Sequence, residues 1–131
     1  MSEHPNARKV YDCIDTLSKG DLMGALEYFS EDSVYHVPGT NIISGDYHGR
    51  QELADFFIRL GEITEGSFKV EADEVLADDS FAALFWRTWA SRGDKTLEGV
   101  GAMGFKFDDD GKFSESWFLY NDQDAYNDFY S

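Results

Sequence analysis

The chain contains 131 residues, 42% of them hydrophobic and 16% aromatic, and carries a formal net charge of -15. This length and apolar content exclude a disordered chain and correspond to one domain over residues 1–131 with a single core. A negative field of this size repels phosphate backbones and anionic lipid headgroups, so we expect no nucleic-acid or membrane partner.

The first half of the chain predicts three helices and one short strand. Proline at the start and apolar residues at three- and four-residue spacing predict a helix from Pro5 to Ser18. Asp21 can cap a second helix, whose predicted buried stripe includes Met23. The segment 33–37 has the composition of a strand that stops at a Pro-Gly pair, and a third helix is predicted to start near Arg50.

From Ser67 onward the hydrophobic period falls from about 3.6 residues to 2, which indicates strands. Four strands separated by short turns are predicted, at 67–73, 81–91, 96–107 and 112–120. Short turns make successive strands antiparallel neighbours, and Asn121 or Asp122 can cap a final helix. Helices followed by a meander of strands form an α+β pattern.

The stretch from Tyr35 to Phe57, YHVPGTNIISGDYHGRQELADFF, joins a short strand to an amphipathic helix through a Gly-rich loop. With two helices before it and four strands after it, this order resembles the SnoaL-like, ketosteroid-isomerase-related branch of the nuclear transport factor 2-like superfamily. The resemblance covers nearly the whole chain. It implies a cone-shaped, curved, antiparallel (mixed) sheet wrapped around helices, which is a cystatin-like barrel with a pocket inside the cone.

The resemblance also implies which strand faces line that pocket. Aligning the acidic turn at 108–111 with the corresponding turn of ketosteroid isomerases places alternate residues of each strand inside the cone. Gly99 and Gly101 are predicted to leave space inside the cone. The hydroxyl groups of the pocket residues are predicted to orient a hydrophobic ligand. The expected ligand contacts are Tyr35, Val37, Trp86, Thr88, Met103, Ser116, Phe118 and Tyr120.

The resemblance does not extend to the chemistry of ketosteroid isomerases. Those enzymes use a carboxylate as proton shuttle and an oxyanion hole made by a tyrosine and a protonated aspartic acid. The alignment places Val37, Cys13 and Met103 at these three positions. True ketosteroid isomerase activity is therefore not expected.

Four other residues are weak catalytic candidates. His36 can move protons near neutral pH, but strand parity puts it outside the cone, where a structural hydrogen-bonding role is the alternative. Tyr11 and Asp15 are four residues apart on the first helix and could both reach the mouth of the cone, where related dehydratases and cyclases carry such groups. Asp122 lies where some SnoaL-type cyclases keep an acid, and its alternative role is capping the last helix.

The sequence predicts no cofactor and no metal. Residues 99–104 match the literal G-x-G-x-x-G pattern, but they lie within a strand and not between a strand and a helix, where a dinucleotide would bind. The histidines form no His-x-His pair. Because Cys13 is the only cysteine and the N-terminal residues lack an apolar signal region, we expect a cytoplasmic protein.

Large apolar groups are also predicted on the outer face of the sheet, at Phe85, Trp89, Trp117 and Leu119. A sheet covered by helices on one side should be polar on the other, so these residues predict a homodimer through the outer sheet face. Ordinary scattered surface aromatics are the alternative.

Three classes of function remain open on this basis. The first is a cofactor-free isomerase, dehydratase or cyclase acting on a hydrophobic polyketide-, terpenoid- or steroid-like compound. The second is a domain that binds such a compound without catalysis, and the third is a dimeric interaction module with a vestigial pocket. A carboxyl group or histidine beside the ligand would favour the enzyme, and a ligand site without such a group would favour the binding domain. A solidly packed pocket would favour the interaction module.

Overall fold

The computed structural model describes residues 4–131, which form one six-stranded mixed sheet and four helices. The helices are α1 (Pro5–Ser18), α2 (Leu22–Leu26), α3 (Gly49–Ile63) and α4 (Gln123–Phe129). The strands are β1 (Phe29–Val37), β2 (Gly45–His48), β3 (Lys69–Ala77), β4 (Phe81–Arg92), β5 (Lys95–Phe107) and β6 (Phe113–Tyr120). The predicted α+β class is confirmed.

The strands lie in the order β2-β1-β6-β5-β4-β3, so the sheet ends at β2 and β3 and is not closed. Only β1 and β6 pair in parallel, and the other neighbours are antiparallel. The register shifts within β1–β6, β3–β4 and β5–β6. Because an extra residue bends and twists a strand, these irregularities account for the curvature of the sheet.

Helices α1 and α3 cover the concave face through their apolar stripes. Val10, Cys13 and Ile14 of α1 are buried, as are Leu53 and Phe57 of α3. The α1 boundaries match the predicted ones, and the His4 side chain caps the helix by accepting a hydrogen bond from the Asn6 backbone N–H. Contact between these stripes and the sheet creates the core.

The alternation on β4 follows the predicted faces. Leu84, Trp86 and Thr88 are buried, whereas Phe85 and Arg87 point outward and are exposed. Successive side chains of a strand point to opposite faces, so this parity fixes the orientation of the whole strand.

Three local predictions were wrong. Strand β1 begins at Phe29, four residues before the predicted start of the strand at 33–37. Met23 is 72% exposed and lies outside the buried stripe, because α2 is a single short turn that buries only Ala25 and Leu26. Strand β2 lies within the predicted Gly-rich loop, because its Gly-Asp-Tyr-His sequence has no apolar alternation that would predict a strand. It forms because the edge of β1 offers backbone partners from Val34 to Val37.

Candidate functional site

A cavity with a volume of about 60 Å³ lies between the concave face of the sheet and helices α1, α3 and α4. Its wall is almost entirely aromatic and aliphatic. The lining residues are Cys13, Ile14, Leu17, Phe29, Tyr35, Ile43, Phe56, Phe57, Leu60, Phe68, Val70, Trp86, Thr88, Met103, Phe105, Phe118, Tyr120, Tyr126 and Tyr130.

The structure brings together most of the expected ligand contacts. Tyr35, Trp86, Thr88, Met103, Phe118 and Tyr120 all line this cavity. Val37 and Ser116 are buried but do not line it, so the structure does not place the Ser116 hydroxyl where it was predicted to orient a ligand. Parity puts both residues on the inner face, but position along the strand decides which of them reach the cavity.

Sequence reasoning missed the contribution of α4 to the cavity wall. Tyr126 and Tyr130 both line the cavity, and the Tyr126 ring stacks on Tyr120 with a centroid distance of 3.7 Å and an interplanar angle of 8°. The four-residue spacing of these tyrosines on an amphipathic helix was the available signal, because such residues share one helix face.

The prediction that Gly99 and Gly101 leave free space in the pocket is wrong. A Cβ atom at Gly101 would lie 2.5 Å from the Leu119 carbonyl oxygen and 2.8 Å from Cζ2 of Trp86. A Cβ atom at Gly99 would lie 2.6 Å from the Tyr126 hydroxyl oxygen. Both glycines allow an aromatic ring to approach the sheet, and the rings occupy the space that the missing side chains leave.

The titratable groups in the wall are a thiol and phenols, and all of those with a shifted pKa are held in the neutral form. Burial raises the pKa of the Cys13 thiol to about 12, which makes it a poor nucleophile. Burial also raises the pKa values of Tyr35 and Tyr120 above the ordinary value. Among residues 4–131, no carboxylate, histidine, lysine or arginine lines the cavity.

Two polar atoms in the wall are buried without a hydrogen-bond partner in the described part of the chain. These are Nε1 of Trp86 and the hydroxyl of Tyr126. By contrast, the Thr88 hydroxyl donates to the Lys69 carbonyl oxygen over 3.0 Å. The cavity therefore combines apolar walls with a pair of unpaired polar groups, which is the usual character of a small-molecule site.

The candidate catalytic residues of α1 do not reach this cavity. Tyr11 and Asp15 line a separate surface groove between α1 and β3. The Tyr11 hydroxyl accepts a hydrogen bond from the Val75 backbone N–H over 3.1 Å, and Asp15 forms an exposed ion pair with Lys19. They face outward because Cys13 and Ile14, on the adjacent stripe of the helix, take the inward positions.

His36 lies on the outer face, as strand parity predicted. It is 2.7 Å from a carboxylate oxygen of Asp46 on β2 and 2.7 Å from one of Glu115 on β6, and its ring stacks on Trp117. Burial lowers the pKa of His36, but hydrogen bonds to the two carboxylates outweigh it and leave that pKa above the ordinary value. This geometry gives His36 a structural role across three strands.

Asp122 caps α4. Its side chain accepts a hydrogen bond from the Ala125 backbone N–H over 3.1 Å, and it does not line the cavity. Within residues 4–131, no group of three or more potential ligands is placed to hold a metal ion. The same part of the chain has no helix long and apolar enough to cross a membrane.

The outer face carries exposed apolar groups between ion pairs. Phe85 is 43% exposed, Trp117 36% and Leu119 71%. Next to this apolar group, on β4 and β3, Arg87 lies 2.7 Å from Glu71 and 2.8 Å from Asp73, and its guanidinium lies over the ring of Trp89.

Comparisons with known proteins agree with this architecture. The SnoaL-like domain family matches residues 8–116. Bal32a, from a soil-derived mobile gene cassette, shares 30% identity over 96% of both chains with a TM-score of 0.91. No protein of curated function matches the sequence.

More distant solved structures share the fold. A nuclear transport factor 2-like protein of unknown function from Burkholderia pseudomallei has 15% identity and a TM-score of 0.86, over 100% of this chain and 99% of that one. SalBIII, described as an epoxide hydrolase/cyclase-like enzyme in pyran ring formation in the polyether salinomycin, has 13% identity and a TM-score of 0.76, over 92% and 93% of the two chains. The chain thus belongs to the SnoaL-like domain family, on the nuclear transport factor 2-like fold.

Proposed function

We propose that this protein binds a hydrophobic small molecule in the cavity between the concave sheet face and helices α1, α3 and α4. The observation that carries the proposal is an uncharged aromatic cavity that contains buried, unpaired hydrogen-bond donors. A core that served stability alone would gain by replacing such donors with apolar groups. A pocket needs them, because a few polar atoms orient a ligand between apolar walls.

Ligand entry requires the wall to move. The cavity volume of about 60 Å³ is enough for a few water molecules, but it is below the roughly 150 Å³ of an apolar cavity known to bind benzene. A neighbouring cleft of about 200 Å³ lies between α1, α2 and α3 and shares Leu17, Phe57, Leu60 and Phe68 with the cavity wall. Rotation of these shared side chains would join the two spaces, so we propose this cleft as the entrance.

We propose binding without proton transfer. An isomerase, dehydratase or cyclase of this fold class needs a group that accepts a proton from the substrate, and a carboxylate or histidine is the usual base. No such group lines the cavity among the described residues, and the candidates Tyr11, Asp15, His36 and Asp122 all lie elsewhere. SalBIII resembles this chain in fold alone, so its activity does not decide the question.

A thermal-shift screen of steroids, terpenoids and polyketide-like aromatics tests this proposal. We expect at least one class to raise the unfolding temperature, because a ligand at 100 times its Kd stabilises the native state by about 2.7 kcal/mol. Chromatography and NMR of the recovered ligand should show an unchanged chemical structure, since mass alone would not reveal isomerisation or ring closure. A changed structure would instead support the enzyme class.

Cys13→Leu locates the site of any ligand found in that screen. The larger side chain would extend into the cavity, so we expect the ligand-induced shift to fall strongly. Met23→Leu, at an exposed position on α2, is the control and should keep the full shift. A ligand that stabilises Cys13→Leu as much as wild type would place binding outside this cavity.

We also propose that a second copy of the chain covers the outer face of the sheet. The exposed apolar groups Phe85, Trp117 and Leu119 support this, since contiguous exposed apolar surface marks an interaction site. The buried free thiol of Cys13 supports a cytoplasmic location, where thiols stay reduced.

A further inference from the structure

The two unpaired polar atoms of the cavity lie on one part of its wall, beside strand β5. The Tyr126 hydroxyl oxygen would be 2.6 Å from a Cβ at Gly99, and the Trp86 ring edge would be 2.8 Å from a Cβ at Gly101. These glycines are two residues apart and point to the same sheet face, which separates them by roughly 7 Å. Trp86 and Tyr126, which both line the cavity, therefore place their unpaired polar atoms beside neighbouring positions of β5.

The aromatic packing around these two side chains holds them in place. The Tyr126 ring is stacked on Tyr120, and the Trp86 ring meets Tyr120 and Tyr126 edge-on at centroid distances of 5.9 and 6.5 Å. Trp86 is 4% exposed and Tyr126 is 3% exposed. Neither ring can turn its polar atom toward water without breaking this cluster, so the donors stay directed at the protein interior.

The chemistry of the pair specifies an acceptor. An indole N–H can only donate a hydrogen bond, and a phenol can donate one as well. No cation lines the cavity within the described residues, so a carboxylate or phosphate would be buried there without a counter-charge. The net charge of -15 disfavours an anionic ligand further.

We propose that the cavity recognises a neutral ligand through a carbonyl-type oxygen that accepts hydrogen bonds from Trp86 Nε1 and the Tyr126 hydroxyl. This inference rests on the proposed binding function and adds the ligand class, an apolar ketone. A hydrocarbon of the same shape would fill the apolar space but leave both donors unpaired. In a desolvated site, unpaired donors cost binding free energy that the ketone does not lose.

A matched ligand pair tests the inference on the full-length protein. α-Tetralone and tetralin have the same bicyclic frame and differ at the carbonyl group. Affinities of both for wild type are measured by calorimetry. We expect the ketone to bind about tenfold or more tightly, in line with one net buried hydrogen bond or more.

Tyr126→Phe removes one donor by deleting a single oxygen atom. Because that hydroxyl has no partner in the described chain, the variant should fold at least as stably as wild type. We expect the ketone affinity to fall about tenfold while the tetralin affinity stays the same. Tyr47→Phe is the matched control: its hydroxyl donates to the Ile43 carbonyl oxygen and does not line the cavity, so the ketone preference should persist.

The outcomes separate the two proposals. If wild type binds both compounds equally, the carbonyl subsite is wrong and the binding function stands. If Tyr126→Phe keeps the full preference for the ketone, the assignment of Tyr126 is wrong, and bridging by water becomes the better explanation of the unpaired atoms. If neither compound binds, and the broader screen also finds no ligand, the proposed function fails together with this inference.

Discussion

Both faces of the sheet carry aromatic side chains, but they differ in the hydrogen bonding and ion pairing of their polar groups. On the outer face, Arg87 is paired with Glu71 and Asp73, and His36 with Asp46 and Glu115. On the inner face, Trp86 Nε1 and the Tyr126 hydroxyl are buried without partners in the described chain.

This difference indicates that the aromatic residues of the two sheet faces serve different purposes. Polar groups at a surface can pair with water or with an opposite charge. The ion pairs of the outer face are therefore compatible both with contact to solvent and with contact to a charged partner surface. Unpaired donors in a buried apolar wall are costly to the folded protein, and the ligand proposed above would pair them. The following predictions test each face separately.

The largest expected effect is on the outer face, with Trp117→Glu. If a second copy covers this face, a buried carboxylate without a partner should dissociate the dimer, and sedimentation velocity should show a monomer or insoluble protein. Ile58→Glu places the same charge on exposed α3, away from this face, and should remain dimeric. A fully dimeric, stable Trp117→Glu protein would exclude this interface.

On the inner face, Gly101→Ala tests whether the aromatic rings fill the space beside β5. The added Cβ would meet the Leu119 carbonyl and Trp86, so we expect a loss of about 1–3 kcal/mol in the free energy of unfolding, measured with urea. Gly61→Ala is the control, because nothing lies within 4 Å of its Cβ position on α3. That change should stabilise the protein by about 0.5–1 kcal/mol. Equal, small effects at both sites would mean that the space beside Gly101 is open after all.

The smallest expected effect concerns the pairing of His36 with two carboxylates. Because the folded-state pKa of His36 is raised, its protonated form contributes stability that is fully present below the unfolded pKa of about 6.5 and is lost as the pH rises through the folded pKa. We expect a change below about 1 kcal/mol, since the pairs are partly exposed.

Urea unfolding of wild type and His36→Gln across pH 5 to 9 measures this contribution. The stability difference between the two proteins should be greatest at the acidic end and shrink toward the alkaline end. His48→Gln, at an exposed position beside α3, is the control and should follow wild type. A difference that grows with pH would contradict the assigned pairing.

Local sequence patterns were sufficient to predict much of the fold. The apolar spacing and Pro5 predicted the boundaries of α1, and the alternation placed Leu84, Trp86 and Thr88 on one shared face of β4. Strand β2 was missed because an edge strand of four residues is stabilised by its neighbour and not by its own composition.

Candidate site residues were predictable only as far as strand parity reaches. Parity grouped residues on shared strand faces, and the resemblance assigned one face to the inside of the cone. Trp86, Thr88, Met103, Phe118 and Tyr120 of that face all line the cavity. Parity could not show that the weak catalytic candidates of α1 turn away from the cavity, since helical spacing alone leaves the rotation of a helix undetermined until the helix packs.

The sequence by itself determined the fold class and which residues of a strand share a face, because the two-residue period of a strand is a local property of the backbone. Only the tertiary structure decided how the space inside the cone is used. Tyr126 from α4 and Trp86 from β4 occupy the room beside Gly99 and Gly101 on β5, so whether a glycine opens a pocket depends on side chains from distant segments. Packing density is a property of the assembled core, and no local pattern encodes it.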